Sequence, residues 1–332
     1  MDWIEAILAA HPAATDIHIT DGAPVLVREA GALVRTGETG DFSRLEERLS
    51  PEKRALFHRT GACDSAFSAG GARCRLHCYR AGGRAVAALR VLPALDALPP
   101  DGDEAWRRMA ASFTSGLVLV TGPTGSGKST ALARLILAAA ERPRHIVTIE
   151  DPPEFLFPSG TALIHQREVG ADTASFASGV REALREDPDV IVIGELRDAE
   201  TMAAALTAAE TGRLVLATMH NRTAADAVGR LVHAFPAEKE RDIRALLASV
   251  LRTAAAQALC RTGGRAFLLR EILTNIPAVA HLIREGKDEQ IASYMEMGRH
   301  GMRTMKQAAE ALLRREALSA EDRARIHEAA GL

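Results

Sequence analysis

The stretch that decides the fold is Gly122, Pro123, Thr124, Gly125, Ser126, Gly127, Lys128, Ser129 and Thr130. It follows the apolar run 117–121 and precedes the helical run 131–137, so a strand, a glycine-rich turn and a helix are predicted in that order. Glycines let the backbone curl until successive N–H groups point at phosphate oxygens, and the helix adds its positive end. Lys128 is then expected to reach the β- and γ-phosphates, and Ser129 to offer its hydroxyl to Mg²⁺. A glycine-rich turn with an incidental lysine would not produce the full pattern, so the sequence predicts a nucleoside-triphosphate site.

Composition limits the class of protein. The chain has 332 residues, enough for about two domains. It carries 41 Lys and Arg against 43 Asp and Glu, a net charge of −2, so no nucleic-acid partner is expected. The start of the chain is acidic, no apolar run approaches the ~20 residues of a membrane span, and no pair of cysteines has CxxC spacing. These features favour a cytoplasmic protein with free thiols.

The pattern along the chain divides into two parts. Residues 1–96 read as a small α+β domain with an antiparallel sheet, including a helical stretch over 42–58 and a hairpin over 73–91. Proline and glycine punctuate a linker over 97–103. In 104–332, short apolar runs alternate with helices, which predicts a doubly wound α/β core.

Four runs in the second part are typical of buried parallel strands: 117–121, 145–149, 190–193 and 214–218. Beyond Glu238 the pattern is rich in Ala, Leu and Arg and predicts helices, with one strand-like break at 265–272. The fold class expected from these observations is α/β, with a helical C-terminal region.

Acidic residues follow two of these predicted strands. Glu195 comes after the run 190–193 and Gly194, in the manner of a Walker B strand, and Glu154 belongs to the acidic cluster after 145–149. Either strand end alone could be a solvated terminus. Two of them after a phosphate loop favour a site that holds metal and water, because both ends would lie at the same edge of a parallel sheet.

His220 follows a further predicted strand, 214–219. A histidine at this place is often an ordinary loop or core residue. The carboxyl end of a strand in the same sheet is also where ligands bind, so His220 is a candidate to sense a γ-phosphate through a hydrogen bond.

The predicted hairpin of the small domain is rich in arginine, with Arg73, Arg75, Arg80, Arg84 and Arg90. These side chains could form a solvated face, a nucleic-acid groove, or a set of phosphate ligands delivered across a subunit interface. Tyr79 is the one aromatic residue in this hairpin that could stack on a base, which makes the nucleic-acid groove the weakest of the three. The planar guanidinium suits phosphate recognition.

Together these features resemble the type IV pilus motor family of secretion ATPases, and its PilT-like twitching-motility branch most closely. Motifs over nearly the whole chain carry the resemblance: Ala14-Thr-Asp-Ile-His-Ile19, an Asp box at Glu150-Asp-Pro-Pro-Glu-Phe155, Gln166-Arg-Glu-Val169, the runs 183–198 and 205–212, and a His box at Ala217-Thr-Met-His220. The sequence departs from the family pattern in three places: the small domain is shorter than usual between Thr36 and Asp64, Asn221-Arg-Thr223 follows His220 where Thr-Thr-Ser is expected, and a third motif is changed. The A-I-R-N-L-I-R-E of the retraction branch is Ala278-Val-Ala-His-Leu-Ile-Arg-Glu285 here.

The resemblance implies a role for each candidate residue. Glu154 would be the catalytic acid that polarises water, and Glu195 the Walker B acid at the magnesium ion. His220 would contact the γ-phosphate side, and Arg75 and Arg90 would complete the nucleotide site of a neighbouring subunit. ATP and Mg²⁺ are the implied cofactors.

The resemblance also implies an architecture and partners. The fold would be a PAS-like N-terminal domain followed by a RecA-like core with C-terminal helices. The working form would be a homo-hexamer in the cytoplasm, associated peripherally with the inner membrane through pilus machinery. Its partners would be an inner-membrane platform protein and a paralogous motor ATPase.

Three functions are compatible with the phosphate loop. The first is a ring-forming ATPase motor, in which hydrolysis drives domain rotation. The second is an accessory subunit that binds nucleotide with little turnover of its own. The third, a kinase that passes phosphate to a small acceptor, has no support beyond the loop itself, and a GTPase is disfavoured because no NKxD motif follows the loop.

Overall fold

The chain divides into two compact units in the computed structural model, which describes residues 3–92, 94–98, 102–262, 265–315 and 318–331. The first unit comprises Met1–Pro99 with the segments Glu150–Pro158 and Gln166–Ser175, and the second comprises Pro100–Ile149, Ser159–His165 and Phe176–Leu332. The domain boundaries at 96 and 103 stay a prediction. Residues 99–101 of the predicted linker lie outside the described residues.

The N-terminal part of the first unit is a six-stranded sheet covered by short helices. Its elements are α1 (Trp3–Ala10), β1 (Ala14–Thr20), β2 (Pro24–Glu29), β3 (Ala32–Thr39), α2 (Phe42–Glu46), α3 (Pro51–Thr60), β4 (Ala62–Ala69), β5 (Ala72–Ala81) and β6 (Arg84–Leu92). The strand order is β3-β2-β1-β6-β5-β4, and all neighbours are antiparallel. The predicted antiparallel sheet and its hairpin, which turns at Gly82 and Gly83, are therefore confirmed.

The helical stretch predicted over 42–58 contains a break. The stretch 42–58 forms two helices rather than one, with a break before α3. Ser50 adopts an extended conformation at the break, and its side chain accepts a hydrogen bond from the backbone N–H of Lys53. Pro51 then occupies the first helical position, where a missing N–H has no cost. The Ser-Pro pair therefore starts a second helix inside the predicted helical stretch.

The remaining chain alternates strands and helices. Its elements are α4 (Glu104–Ser112), β7 (Gly116–Thr121), α5 (Lys128–Ala139), β8 (His145–Glu150), β9 (Leu163–Glu168), α6 (Phe176–Ala183), β10 (Val190–Ile193), α7 (Ala199–Glu210), β11 (Leu214–Thr218), α8 (Ala224–His233), α9 (Glu240–Val250), β12 (Leu251–Thr262), β13 (Arg265–Thr274), α10 (Pro277–Arg284), α11 (Glu289–Glu296), α12 (Met305–Arg315) and α13 (Ala320–Ala330). The predicted α/β class with C-terminal helices is confirmed.

The central sheet has the order β13-β12-β7-β11-β10-β8-β9. Strands β12, β7, β11, β10 and β8 run parallel to one another. Every residue of β7, β10 and β11 is buried, as expected for strands covered by helices on both faces. Strand β7, which leads into the glycine-rich turn, thus lies inside the sheet with neighbours on both sides.

Strand β12 corrects the prediction that the chain is helical beyond Glu238. It pairs in parallel with β7, where Ala254 faces Leu119, and antiparallel with β13. Its run of Ala254, Ala255 and Ala256 is fully buried. Alanine has a high intrinsic helix propensity, but burial next to a core strand overrides that weak local preference.

The helices are short compared with a lipid bilayer. In the described part of the chain, the longest are α5 and α7, with 12 residues each. A membrane-spanning helix needs about 20 residues. None of the helices described is both long enough and apolar enough to cross a membrane.

A buried carboxylate joins the starts of two helices in the second unit. Glu271 on β13 is 6% exposed and accepts hydrogen bonds from the backbone N–H of Ala224 at 2.7 Å and of Met305 at 3.1 Å. These residues begin α8 and α12, whose first N–H groups have no partner within their helix. Burial raises the pKa of Glu271, against the opposing effect of the two amide hydrogen bonds. Glu271 therefore stabilises both helix ends at once.

Glu271→Ala is expected to lower the free energy of unfolding by about 2–4 kcal/mol, because it leaves two buried N–H groups without an acceptor. Urea unfolding followed by circular dichroism measures this change. The control is Glu141→Ala at an exposed position, where a change within about 0.5 kcal/mol is expected. Equal midpoints for the two variants would contradict this role of Glu271.

Candidate nucleotide-binding site

The glycine-rich turn has a backbone that side chains would obstruct. Gly122, Gly125 and Gly127 have φ angles of 148°, 80° and 88°. A Cβ at Gly122 would lie 2.4 Å from the carbonyl oxygen of Gln257 and 2.5 Å from Ser126 Oγ, so no side chain fits there. Gly127 adopts the left-handed conformation directly before α5. The glycines are required by this conformation, as the sequence predicts.

Lys128 folds back over the turn. Its side chain is 9% exposed, and Nζ donates to the carbonyl oxygens of Gly122 at 2.8 Å and Pro123 at 3.0 Å. Pro123, Thr124 and Gly125 are exposed. The ammonium group is thus held against the backbone of the loop that would bind a triphosphate.

The turn fits a phosphate group by two further observations. Ser126 Oγ is buried and has no hydrogen-bond partner within the described chain. Helix α5 begins without a side-chain cap, so its first N–H groups are available to an anion together with the positive end of the helix dipole. Ser129, in the first turn of α5, is exposed. These groups suit the terminal phosphates of a nucleotide.

Glu195 and His220, each predicted at the end of a strand, contact each other in the structure. His220 Nε2 is 3.0 Å from Glu195 Oε2, and Arg197 forms an ion pair with the other carboxylate oxygen. The Glu195 side chain is 15% exposed, whereas that of His220 is 48% exposed. The carboxylate is therefore fixed from both sides, while the imidazole faces solvent.

Hydrogen bonds between strand ends bring these residues to the edge that carries the glycine-rich turn. Met219 N donates to the carbonyl oxygen of Val120 at 2.9 Å, and Thr121 Oγ1 donates to that of Asn221 at 2.8 Å. Leu196 N donates in turn to the carbonyl oxygen of Thr218 at 2.9 Å. The carboxyl ends of β7, β11 and β10 thus meet, which is the usual ligand position in an open α/β sheet.

Glu154 lies in the first unit, where it pairs with Arg75. Arg75 Nη1 is 3.5 Å from Glu154 Oε1, and Arg73 Nε donates to the carbonyl oxygen of Pro153 at 3.2 Å. Both partners of the ion pair are partly exposed, at 43% for Arg75 and 29% for Glu154. Two predicted site residues are thus neighbours within one chain, a contact that sequence reasoning did not anticipate.

Arg90 also has a partner on its own sheet. Its Nε donates to Asp16 Oδ1 at 3.0 Å, while 69% of the arginine side chain remains exposed. Burial alone would raise the pKa of Asp16, but hydrogen bonds from Thr15 and Arg90 outweigh it and hold this pKa below its usual value. Arg75 and Arg90 face each other in the register of β5 and β6, so both guanidinium groups belong to one region of the sheet.

Sequence reasoning missed Gln257, which contacts the glycine-rich turn. It is 1% exposed, and its Nε2 donates to the carbonyl oxygen of Ser126 at 3.2 Å. The residue lies on β12, which was expected to be helical. The signal in the sequence was one polar amide side chain that directly follows a run of alanines.

The part of the chain that the structure describes offers a metal ion no preformed cluster of protein ligands. Among the described residues, no group of three or more His, Cys, Asp and Glu side chains is placed to hold one. All four cysteines are free and buried. A small number of protein ligands is normal for Mg²⁺ at a nucleotide, because phosphates and waters fill its remaining positions.

The fold and the turn together define a class of protein. A glycine-rich phosphate loop between a buried parallel strand and a helix, with an acid at the end of a nearby strand, is the site of a P-loop nucleoside-triphosphatase.

Comparison with known proteins identifies the family. The model of the type II/IV secretion system protein family matches residues 89–328. Protein YggR of Escherichia coli K12 is 42% identical over 93% of this chain and 96% of its own length. The type IV pilus retraction ATPase PilT of Pseudomonas aeruginosa is 36% identical over 97% of each chain. A crystal structure of the pilus retraction motor PilT with bound ADP has a TM-score of 0.85 and 38% identity, covering 98% of this chain and 97% of that one. The chain therefore belongs to the type II/IV secretion system protein family, and it is a PilT-like, nucleotide-binding ATPase.

Proposed function

We propose that this chain is the ATP-hydrolysing motor that retracts a type IV pilus. The observation that carries the proposal is the likeness to PilT over nearly the full length, in sequence and in structure. The intact phosphate loop with Lys128, and the fixed carboxylate of Glu195, supply the chemistry that such a motor needs.

The phosphate loop is proposed to hold the nucleotide from Gly122 to Thr130. Lys128 would exchange its two backbone acceptors for the β- and γ-phosphates, which offer stronger, charge-assisted hydrogen bonds. The hydroxyl of Ser129 and the carboxylate of Glu195 would hold Mg²⁺, since hard cations prefer oxygen ligands. The metal would neutralise charge that develops on the phosphates during transfer.

Glu154 and His220 are proposed as the remaining site residues of the same chain. Glu154 would accept a proton from the attacking water, a role that requires a carboxylate near the γ-phosphate. The Glu195 carboxylate accepts the Nε2–H of His220, which orients the imidazole. That ring would then contact the γ-phosphate side and register whether the phosphate is present.

The working assembly is proposed to be a homo-hexamer in which Arg75 and Arg90 complete the site of a neighbour. Arg75 and Arg90 are each partly solvent-exposed and each pair with an acidic residue, which a phosphate could replace. The motor would act on an inner-membrane platform protein, beside a paralogous motor ATPase, from the cytoplasmic side of that membrane. Domains with the boundaries 1–96 and 104–332 would rotate about the linker 97–103.

Glu195→Gln tests the proposed function. The purified wild-type protein should release phosphate from Mg-ATP, and cells that rely on it should retract pili and twitch. The variant should lose both activities, because the amide cannot replace the carboxylate at the metal. The control is Glu200→Gln, which alters an exposed acid paired with Arg181. Twitching by cells that carry only Glu195→Gln would overturn the proposal.

An accessory nucleotide-binding subunit is the second candidate. The observation in its favour is the changed motif 278–285, which forms most of helix α10 and carries the exposed His281 where the retraction branch has asparagine. An accessory subunit should bind nucleotide but release phosphate no faster than the Lys128→Ala variant does. Turnover that depends on Glu195 would exclude it.

Mixed rings test the shared site. Arg75→Ala and Lys128→Ala subunits should each be inactive alone, and an equal mixture should recover turnover at about one site in four, where an intact loop meets an intact arginine. Phosphate release after mixing, with each variant mixed with itself as control, measures this. Rings shown to be mixed that recover no activity would contradict sharing of the site.

A further inference from the structure

The side-chain amide of Gln166 on β9 binds the segment that carries Glu154. Its Oε1 accepts the backbone N–H of Phe157 at 2.8 Å, and its Nε2 donates to the carbonyl oxygen of Phe155 at 2.8 Å. The same Nε2 donates to Glu150 Oε1 at 3.1 Å. One side chain therefore satisfies two backbone groups directly after Glu154 and the carboxylate that ends β8.

The conformation of the segment explains what this amide can control. Phe155 and Phe157 are 7% and 8% exposed, whereas Leu156 between them is 49% exposed. The chain therefore alternates buried and exposed side chains, and it presents the groups of Phe155 and Phe157 to Gln166 as a strand would present them to a neighbour. Because Glu154 directly precedes Phe155, the direction of its carboxylate depends on how this backbone is held.

A second set of contacts holds Glu168, the last residue of β9. Lys53 is 7% exposed, and its Nζ lies 3.7 Å from Glu168 Oε1. Burial raises the pKa of Glu168, while the charges of Lys53 and Arg73 act in the opposite direction. Glu168, two residues after Gln166, is thus held by a residue of α3 within the first unit.

We propose that Gln166 is a positioning residue for the reaction, which aims Glu154 by clamping the backbone from Phe155 to Phe157. The proposal rests on the proposed role of Glu154 in hydrolysis. The neutral amide is required because it presents a donor to Phe155 and an acceptor to Phe157 in one plane. A carboxylate would present only acceptors, and an apolar side chain would present neither.

Gln166→Met tests the proposal, because methionine keeps the length of the side chain and removes its hydrogen bonds. The matched control is Gln307→Met. Gln307 also bridges two backbone groups with its amide, from Thr304 N to the carbonyl oxygen of Glu296, but on α12. We expect kcat for ATP to fall about 10- to 100-fold in Gln166→Met, since small misplacement of a reacting group has effects of this size. KM, ADP affinity and the melting temperature should match those of Gln307→Met.

The same experiment in the Glu154→Gln background separates the two proposals. If Gln166 acts through Glu154, Gln166→Met should lower kcat no further once Glu154 is changed. An undiminished kcat in Gln166→Met, beside a strong loss in Glu154→Gln, overturns the positioning role alone. The positioning role is also overturned if Gln166→Met lowers kcat equally with Glu154 present and with Glu154 changed to Gln. It is overturned as well if the loss of kcat comes with a fall in melting temperature that Gln307→Met does not show. Full turnover in Glu154→Gln overturns the role of Glu154 and this inference with it.

Discussion

Lys128→Ala is expected to abolish turnover and to remove most of the affinity for nucleotide. Lys128 Nζ has two backbone acceptors in the loop, so its hydrogen bonds can pass to phosphates without burying a new charge. Loss of a preorganised donor to developing negative charge lowers kcat by about 10²–10³-fold. A hydrogen bond to a charged group contributes about 1.5–3 kcal/mol, so affinity should fall by at least about tenfold.

The rise in melting temperature on adding ADP measures this loss of affinity independently of turnover. At a ligand concentration 100 times Kd, the wild-type protein should gain about 2.7 kcal/mol of stability. Lys128→Ala should gain far less at the same concentration. Lys306→Ala, at an exposed lysine of α12, is the control and should behave as the wild type does. An undiminished ADP response in Lys128→Ala would contradict the assignment of the loop.

Glu154→Gln is expected to lower kcat by about 10²–10⁴-fold, the usual contribution of a positioned acid or base. The ADP-induced rise in melting temperature should remain, because the proposed role concerns the attacking water and not nucleotide binding. The loss of charge also breaks the ion pair with Arg75. That pair is long, at 3.5 Å, and partly exposed, so its contribution to stability is at most about 1 kcal/mol.

Glu328→Gln is the matched control for Glu154→Gln. It breaks a comparable surface ion pair, Arg325 with Glu328 at 3.1 Å, on α13. Its turnover should equal that of the wild type. If both variants hydrolyse ATP at the wild-type rate, Glu154 is not the residue that activates water, and another carboxylate must do so.

Local sequence was sufficient for the phosphate loop and for the core strands. The loop's glycines are needed by the backbone itself, and β7, β10 and β11 are continuous apolar runs because helices cover both faces. The loop and the core strands depend on residues that are neighbours in the chain, so both can be predicted from one sequence. Glu195 and His220 were each predicted to end a strand of one parallel sheet, and the contact between their side chains is seen only in the structure.

The features that sequence reasoning missed depend on contacts between distant residues. Strand β12 has the composition of a helix and becomes a strand because it packs beside β7, and Gln257 reaches the phosphate loop only as a result. The pairing of Arg75 with Glu154 joins residues 79 positions apart. The sequence around Arg75 or Glu154 does not indicate that contact, because the packing of the first unit determines where their two chain segments lie.

A structure with Mg²⁺ and a non-hydrolysable ATP analogue tests the central claim most directly. We expect Lys128 to leave the carbonyl oxygens of Gly122 and Pro123 for the phosphates, and the metal to be held through Ser129 and Glu195. Glu154 should then face a water beside the γ-phosphate. A nucleotide bound in the loop with both Glu154 and Glu195 directed away from it would contradict the account.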